Sequence, residues 1–154
     1  MTTTAISPLA PGSFPELPPV AGVSLATRAA TIRYKGRDDL MIAVVEPGTT
    51  VAGVFTRSMC PSAPVDWSQR ALVESGGVAR AIVCNSGNAN AFTGAAGDAV
   101  AAHTAEAAAS LLGCRPSEVH LASTGVIGEI LPEDRLVGAI APAVASLRAS
   151  DPES

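Results

Sequence analysis

An α/β or α+β fold, built from closely packed layers of sheet and helix, is what the sequence predicts, on three observations. Short apolar and β-branched runs come first along the chain and then alternate with two segments of helical period. Hydrophobic residues make up 47 % of the 154 residues, enough to bury a core in one domain. Only 3 % of the chain is aromatic, so that core is aliphatic, and alanine, valine and glycine let layers approach closely.

Residues 1–21 hold five of the twelve prolines among small polar residues. Such a stretch buries little and is expected to be an extended or disordered arm. Residues 22–154 then form the domain. Val23 to Tyr34 is rich in β-branched residues, and Leu40 to Val45 is a short apolar run; both read as strands. Pro47-Gly48 is a strong turn signal, and Val51 to Phe55 is expected to be the next strand. Ala81 to Cys84 is a further strand that ends at Asn85-Ser86-Gly87, and Val119 to Ala122 is another, stopped by Ser123-Thr124-Gly125.

Two segments have helical period. Val100, Thr104, Ala107, Ala108, Leu111 and Leu112 fall on one stripe, with Asp98 near the N-terminal end and Gly113 as a stop. The second helix starts at Pro132-Glu133-Asp134 and carries the stripe Leu136, Ile140, Val144 and Leu147. Pro142 lies inside it and is expected to kink or split it, since an interior proline costs about 3 kcal/mol.

Charge narrows the function. The net charge is −4, and the basic residues are nine arginines and Lys35. Only Arg33, Lys35 and Arg37 cluster, beside Asp38 and Asp39, as in a solvated turn. A nucleic-acid binder would carry a basic face interleaved with aromatics, so no nucleic-acid partner is expected. No apolar run approaches the ~18 residues of a membrane span, and the N-terminus has no secretory pattern. Cys60, Cys84 and Cys114 are odd in number and far apart, which reads as free thiols in a reducing, cytoplasmic setting. Metal-ligand spacing, a P-loop and a GxGxxG are all missing, so neither metal nor cofactor is expected.

Two polar segments stand out at strand ends. Asn85-Ser86-Gly87-Asn88-Ala89-Asn90-Ala91 reads as a loop whose amides bond backbone or ligand, leading into a helix N-terminus suited to an anion. A tight polar connection explains the same residues. Ser123-Thr124-Gly125-Val126-Ile127-Gly128 is the second; a strand end followed by Thr-Gly leaves N–H groups aimed one way, as an oxyanion requires. An ordinary turn would also have this sequence. His103 reads as a surface residue, His120 as a strand residue facing a layer or solvent, and Cys84 as a small core residue rather than a nucleophile.

Together these segments resemble the glutamate N-acetyltransferase (ornithine acetyltransferase) family. The resemblance is carried, in order, by Gly36-Arg37-Asp38-Asp39-Leu40, Ala52-Gly53-Val54-Phe55-Thr56, Ala63-Pro64-Val65, Asn85 to Ala91 with Thr93-Gly94, and Ser123 to Gly128 with Leu131-Pro132. It implies an α/β layered fold similar to N-terminal-nucleophile enzymes, which cut their own chain before a threonine. It also implies acetyl transfer from N-acetylornithine to glutamate through that threonine, with acetyl-CoA a donor in some members. Thr124 and Gly125 would form the oxyanion hole. The nucleophile would lie on a partner β chain outside this sequence, so this chain alone would be inactive, and the two chains would form a dimer of heterodimers. One departure is Arg57-Ser58-Met59-Cys60-Pro61-Ser62, where the family commonly has asparagine second and alanine at the last two positions. Two other functions fit the residues: an aminopeptidase or amide hydrolase of the related self-cleaving fold, and a non-catalytic piece whose open sheet edges promote association.

Overall fold

The computed structural model describes residues 8–13, 15–16 and 18–149. Along the chain come β1 (Val23–Arg28), β2 (Leu40–Thr50), α1 (Ala63–Glu74), β3 (Val78–Asn88), α2 (Gly94–Leu112), β4 (Val119–Val126), α3 (Glu133–Ala145) and β5 (Arg148–Ala149). A short 3-10 turn at Pro116–Glu118 leads into β4. The strands make one sheet in the order β4-β3-β2-β1-β5. Neighbours are antiparallel except β3 and β4, which are parallel. Parallel neighbours need a crossover, and α2 supplies it.

The period of two along each strand sorts the sheet into a covered and an open face. Leu40, Ile42 and Val44 of β2 and Ala79, Ala81 and Val83 of β3 are buried against the helices. From α2 come Val100, Ala101, Thr104, Ala105, Ala108 and Ala109, and from α3 Leu136, Ala139, Ile140 and Ala143. The many alanines let α2 lie close on the sheet, as the aromatic-poor composition leads one to expect. Leu25, Ala43 and Ile82 stand in register on the other face, where Leu25 is 51 % and Ile82 40 % exposed.

The layered α/β expectation holds, while several boundaries differ. Of the expected arm, residues 1–7, 14 and 17 lie outside the described residues, and its other residues show turns and bends and are exposed. Residues 150–154 also lie outside them. β1 stops at Arg28 rather than Tyr34, because the following segment folds around the buried Asp39 carboxylate, which accepts the Ala30 and Ile32 N–H groups at 2.6 Å each.

Pro47-Gly48 does not separate two strands: β2 continues through it to Thr50, and Val51–Phe55 has no regular structure. Val44 pairs with Ala81 and Thr49 with Ala79, so residues 45–48 bulge out opposite Arg80, whose guanidinium donates to the Val45 carbonyl. A tight two-residue turn would have reversed the chain. The proline and glycine instead sit where ladder pairing is already interrupted.

The helix α1 has no counterpart in the sequence reading. It begins after Ser62 with Pro64 in its first turn, and it buries Ala63, Pro64, Ser68 and Ala71, a stripe too small and too polar to stand out. α2 starts four residues before Asp98 and ends at Gly113, whose φ of 64° forms the left-handed cap. Of the expected stripe Val100, Thr104 and Ala108 are buried and Leu111 is exposed, and the buried face widens to Gly97, Ala101, Ala105 and Ala109. α3 is not split at Pro142. The carbonyl that loses its partner belongs to Gly138, an exposed position where water can replace the bond.

Replacing fully buried Ile140 by alanine should cost about 2–5 kcal/mol, whereas Leu111→Ala should stay within about 0.5 kcal/mol. Urea melts of both variants check this; equal losses would place Leu111 back in the core.

Candidate active site

Both polar segments that the sequence singles out are strand rather than loop. β3 runs through Asn88 and β4 through Val126, four residues beyond their expected ends. Glycine and asparagine are poor strand formers, but pairing with a parallel neighbour overrides propensity. The register sets Asn85 opposite Ser123, Ser86 opposite Thr124 and Gly87 opposite Gly125. The two segments therefore meet at the C-terminal ends of adjacent parallel strands, where open α/β sheets place their ligands.

Gly125 has φ +136°, and a Cβ built there would fall on the Gly87 carbonyl and the Asn88 nitrogen. Only glycine fits so near another main chain. Here the ladder slips: pairing shifts between Gly87 and Asn88, and Thr124 pairs with both Ser86 and Asn88. On its other side Gly87 faces Arg33, whose Cβ would be 3.0 Å from a Cβ at residue 87. Arg33 also pairs with Glu129 at 2.6 Å, and that contact raises the arginine pKa.

β4 is an edge strand, and α1 closes part of that edge. Trp67 Nε1 donates to the Val119 carbonyl at 2.9 Å. Ser68 Oγ accepts from the Leu121 N–H at 2.9 Å and donates to its carbonyl at 3.0 Å. Val119 and Leu121 thus turn their main-chain groups outward. Ser123 and Gly125 share that alternation, and the hydrogen bonds from α1 stop at Leu121. Thr124 and Gly125 are both exposed.

The asparagines bond inward. Asn85 Nδ2 donates to the Asn88 carbonyl at 2.9 Å, and Asn85 Oδ1 accepts from Ser123 Oγ at 2.5 Å. Asn88 Nδ2 donates to the Glu129 carbonyl at 3.0 Å, and Asn88 Oδ1 accepts the Asn90 N–H at 2.7 Å. Asn90 Nδ2 reaches the Gly97 carbonyl in α2 at 2.9 Å. Sequence reasoning left these amides open to backbone or ligand; the side-chain bonds found here run within the protein. It also missed Trp67 and Ser68, and it named Asp39 only beside the basic cluster and within the Gly36 to Leu40 segment, without its role as an acceptor for main-chain N–H groups.

Conventional catalytic groups are restrained. His103 is exposed and bonds Glu133 Oε1 through Nδ1 at 2.8 Å. His120 is buried with no partner on Nε2, and burial lowers its pKa. Burial raises the Cys84 thiol pKa, and it raises that of Cys114, with the Glu118 charge adding to it. Cys60, Cys84 and Cys114 are all free. Among the described residues no cluster of histidine, cysteine or carboxylate could hold a metal ion.

Residues 24–153 match the model of the ArgJ family. The chain belongs to the ArgJ family. It is 57 % identical over 141 residues to the arginine biosynthesis bifunctional protein ArgJ of Nitrobacter winogradskyi, covering 90 % of this chain and 34 % of that protein. With ArgJ of Bradyrhizobium diazoefficiens the identity is 55 % over 138 residues, 90 % of this chain and 33 % of that protein. The chain thus spans about a third of the length of these relatives. Among solved structures, ornithine acetyltransferase of Mycobacterium tuberculosis in complex with ornithine superposes with TM-score 0.79 at 41 % identity, over 84 % of this chain and 69 % of that one. ArgJ of Bacillus halodurans follows with TM-score 0.73 at 32 % identity, over 77 % and 61 %. The layered sheet-and-helix fold is that of these ArgJ structures.

Two outcomes test this geometry. Gly125→Ala should cost about 1–3 kcal/mol by forcing two main chains apart, while Gly138→Ala, with open space around it, should be neutral or stabilising. Equal urea midpoints for both would refute the contact. His120 has a folded pKa below its unfolded value, so the unfolded chain takes up the proton first. Stability should therefore be level above about pH 6.5 and fall as pH drops below it, and His120→Gln should flatten that limb of the pH curve. An unchanged limb would remove His120 as its source.

Proposed function

We propose that the complete protein transfers acetyl from N-acetylornithine to glutamate in arginine biosynthesis, through an acyl-threonine intermediate. This segment supplies the oxyanion-stabilising part of that site. The names of the relatives support the reaction, and the ornithine bound by the M. tuberculosis enzyme supports the substrate class.

The observation that carries the local role is the pairing pattern at the end of β4. Thr124 bridges to Ser86 and Asn88, as a residue does when its N–H and C=O both lie in a parallel ladder. Its free donor is therefore the exposed hydroxyl. Gly125 falls in the outward phase of Val119 and Leu121, so its N–H is the main-chain donor left for a ligand. When a nucleophile adds to an acetyl carbonyl, negative charge collects on the oxygen. The Thr124 hydroxyl and the Gly125 N–H would receive it, each worth roughly 3–4 kcal/mol if held at hydrogen-bond distance.

The rest of the reading comes from the family resemblance. The threonine nucleophile lies on a β chain made by self-cleavage, and two such pairs assemble. Acetyl-CoA is a donor in some members of that family, and the reaction proposed needs no resident cofactor. Free thiols suit a cytoplasmic site.

Thr124→Ala in the full-length protein should lower turnover of N-acetylornithine with glutamate about tenfold to a thousandfold, with the melting temperature unmoved because the side chain is exposed. Turnover equal to the parent protein would end the assignment.

A further inference from the structure

We infer that Asn85 and Asn88 are positioning residues for Gly125, their side-chain amides holding the Ser123 hydroxyl before it and the Glu129 carbonyl after it. This rests on the reading of Gly125 as an oxyanion donor. A donor of that kind must be fixed before the reaction, because its value comes from costing no reorganisation as charge develops.

The usual sources of fixation thin out around Gly125, whose pairing with Gly87 is the last before the register shifts. The β3–β4 register slips at Asn88, the hydrogen bonds from α1 reach no further than Leu121, and φ +136° has left the extended region of the strand. Two amides take over. Asn85, 6 % exposed, accepts from Ser123 Oγ at 2.5 Å, two residues before Gly125. Asn88, 3 % exposed, donates to the Glu129 carbonyl at 3.0 Å, four residues after it. The amides are coupled through Asn85 Nδ2, which donates to the Asn88 carbonyl at 2.9 Å. Asn88 Oδ1 is itself held by the Asn90 N–H at 2.7 Å. Each buried amide carries a large penalty for a broken bond, so the set has one satisfied arrangement. That arrangement brackets Gly125, which pairs with Gly87 at the point where the register shifts.

Ser123→Ala removes one donor from the set, and Asn88→Ala removes the contact beyond Gly125. Both are made in the full-length protein beside Thr124→Ala, with kcat, the KM for N-acetylornithine and the melting temperature measured for each. A shift of the donor by a fraction of an ångström affects the transition state and not substrate binding. Both variants should therefore lose about tenfold to a hundredfold in kcat, with KM within about twofold of the parent. A merely structural role would lower the melting temperature and leave kcat of the folded enzyme intact, and that result overturns the inference. Should Asn88→Ala not fold, Ser123→Ala decides alone. If Thr124→Ala slows the enzyme and Ser123→Ala and Asn88→Ala do not, positioning falls while the oxyanion reading stands. If Thr124→Ala leaves turnover intact, the oxyanion reading fails and the positioning inference falls with it.

Discussion

Gly87 and Gly125 lie main chain against main chain where two parallel strands end, and the surrounding segments are arranged about that contact. A methyl group at Gly125 would occupy the place of the Gly87 carbonyl. The strands can therefore stay paired to their ends only with glycine there. Because they do, Thr124 comes beside Ser86 on the open face of the sheet, while Asn85 and Ser123 meet on the covered face. The loop from β1 to β2 is drawn into the same region. Its Arg33 packs on Gly87 and pairs with Glu129, which follows β4 by three residues. One close approach thus gathers strand ends and loops that are far apart in the chain.

Satisfying main-chain groups at such a junction is the harder requirement. Each hydrogen bond contributes only about 1 kcal/mol net, but a buried group left without one costs about 1–3 kcal/mol. The molecule meets this with side chains. Ser68 serves both main-chain groups of Leu121, Trp67 serves Val119, and Asp39 takes two N–H groups where β1 has ended. In doing so α1 also covers an edge that would otherwise pair with another chain. Among the described residues, the buried side-chain atoms left without a partner are Ser117 Oγ and His120 Nε2.

How much of this the sequence could reveal follows from the range of each interaction. The helix stripes through Val100 and Thr104 and through Leu136 and Ile140 were legible because apolar period is a local property. Starts of β2 and β4 were legible for the same reason. The far ends of β3 and β4 were not, since Asn85 to Asn88 and Ser123 to Gly125 have turn-like composition and become strand only through each other. Pro47-Gly48 misled because the pair marks a bulge as readily as a hairpin turn. α1 escaped notice because Ser68, its buried polar residue, is there to serve a strand that lies 53 positions away. At the candidate site, Thr124 and Gly125 could be named from the family resemblance. The slipped register, the outward phase of Gly125 and the amides of Asn85 and Asn88 depend on which strands are neighbours, and no single-sequence signal carries that.

On the reading proposed above, the chemistry of this segment is electrostatic. Its two histidines and Cys84 are held back, one by an ion pair and two by burial. His103 is engaged by Glu133, burial lowers the His120 pKa, and burial shifts the Cys84 thiol away from its reactive thiolate. Fixed hydrogen-bond donors remain, and those gain strength only when water is kept out. In this segment Thr124 and Gly125 are open to solvent, and Phe92 and Ile127, 72 % and 62 % exposed, flank the strand ends, joined by the Gly128 N–H to Ala91 carbonyl bond at 2.9 Å. Two exposed apolar side chains therefore lie beside the candidate donors. On the same reading, the surface that brings the nucleophile would also cover them. The step that completes the chemistry would then also lower the dielectric around the donors, and neither half would be effective alone.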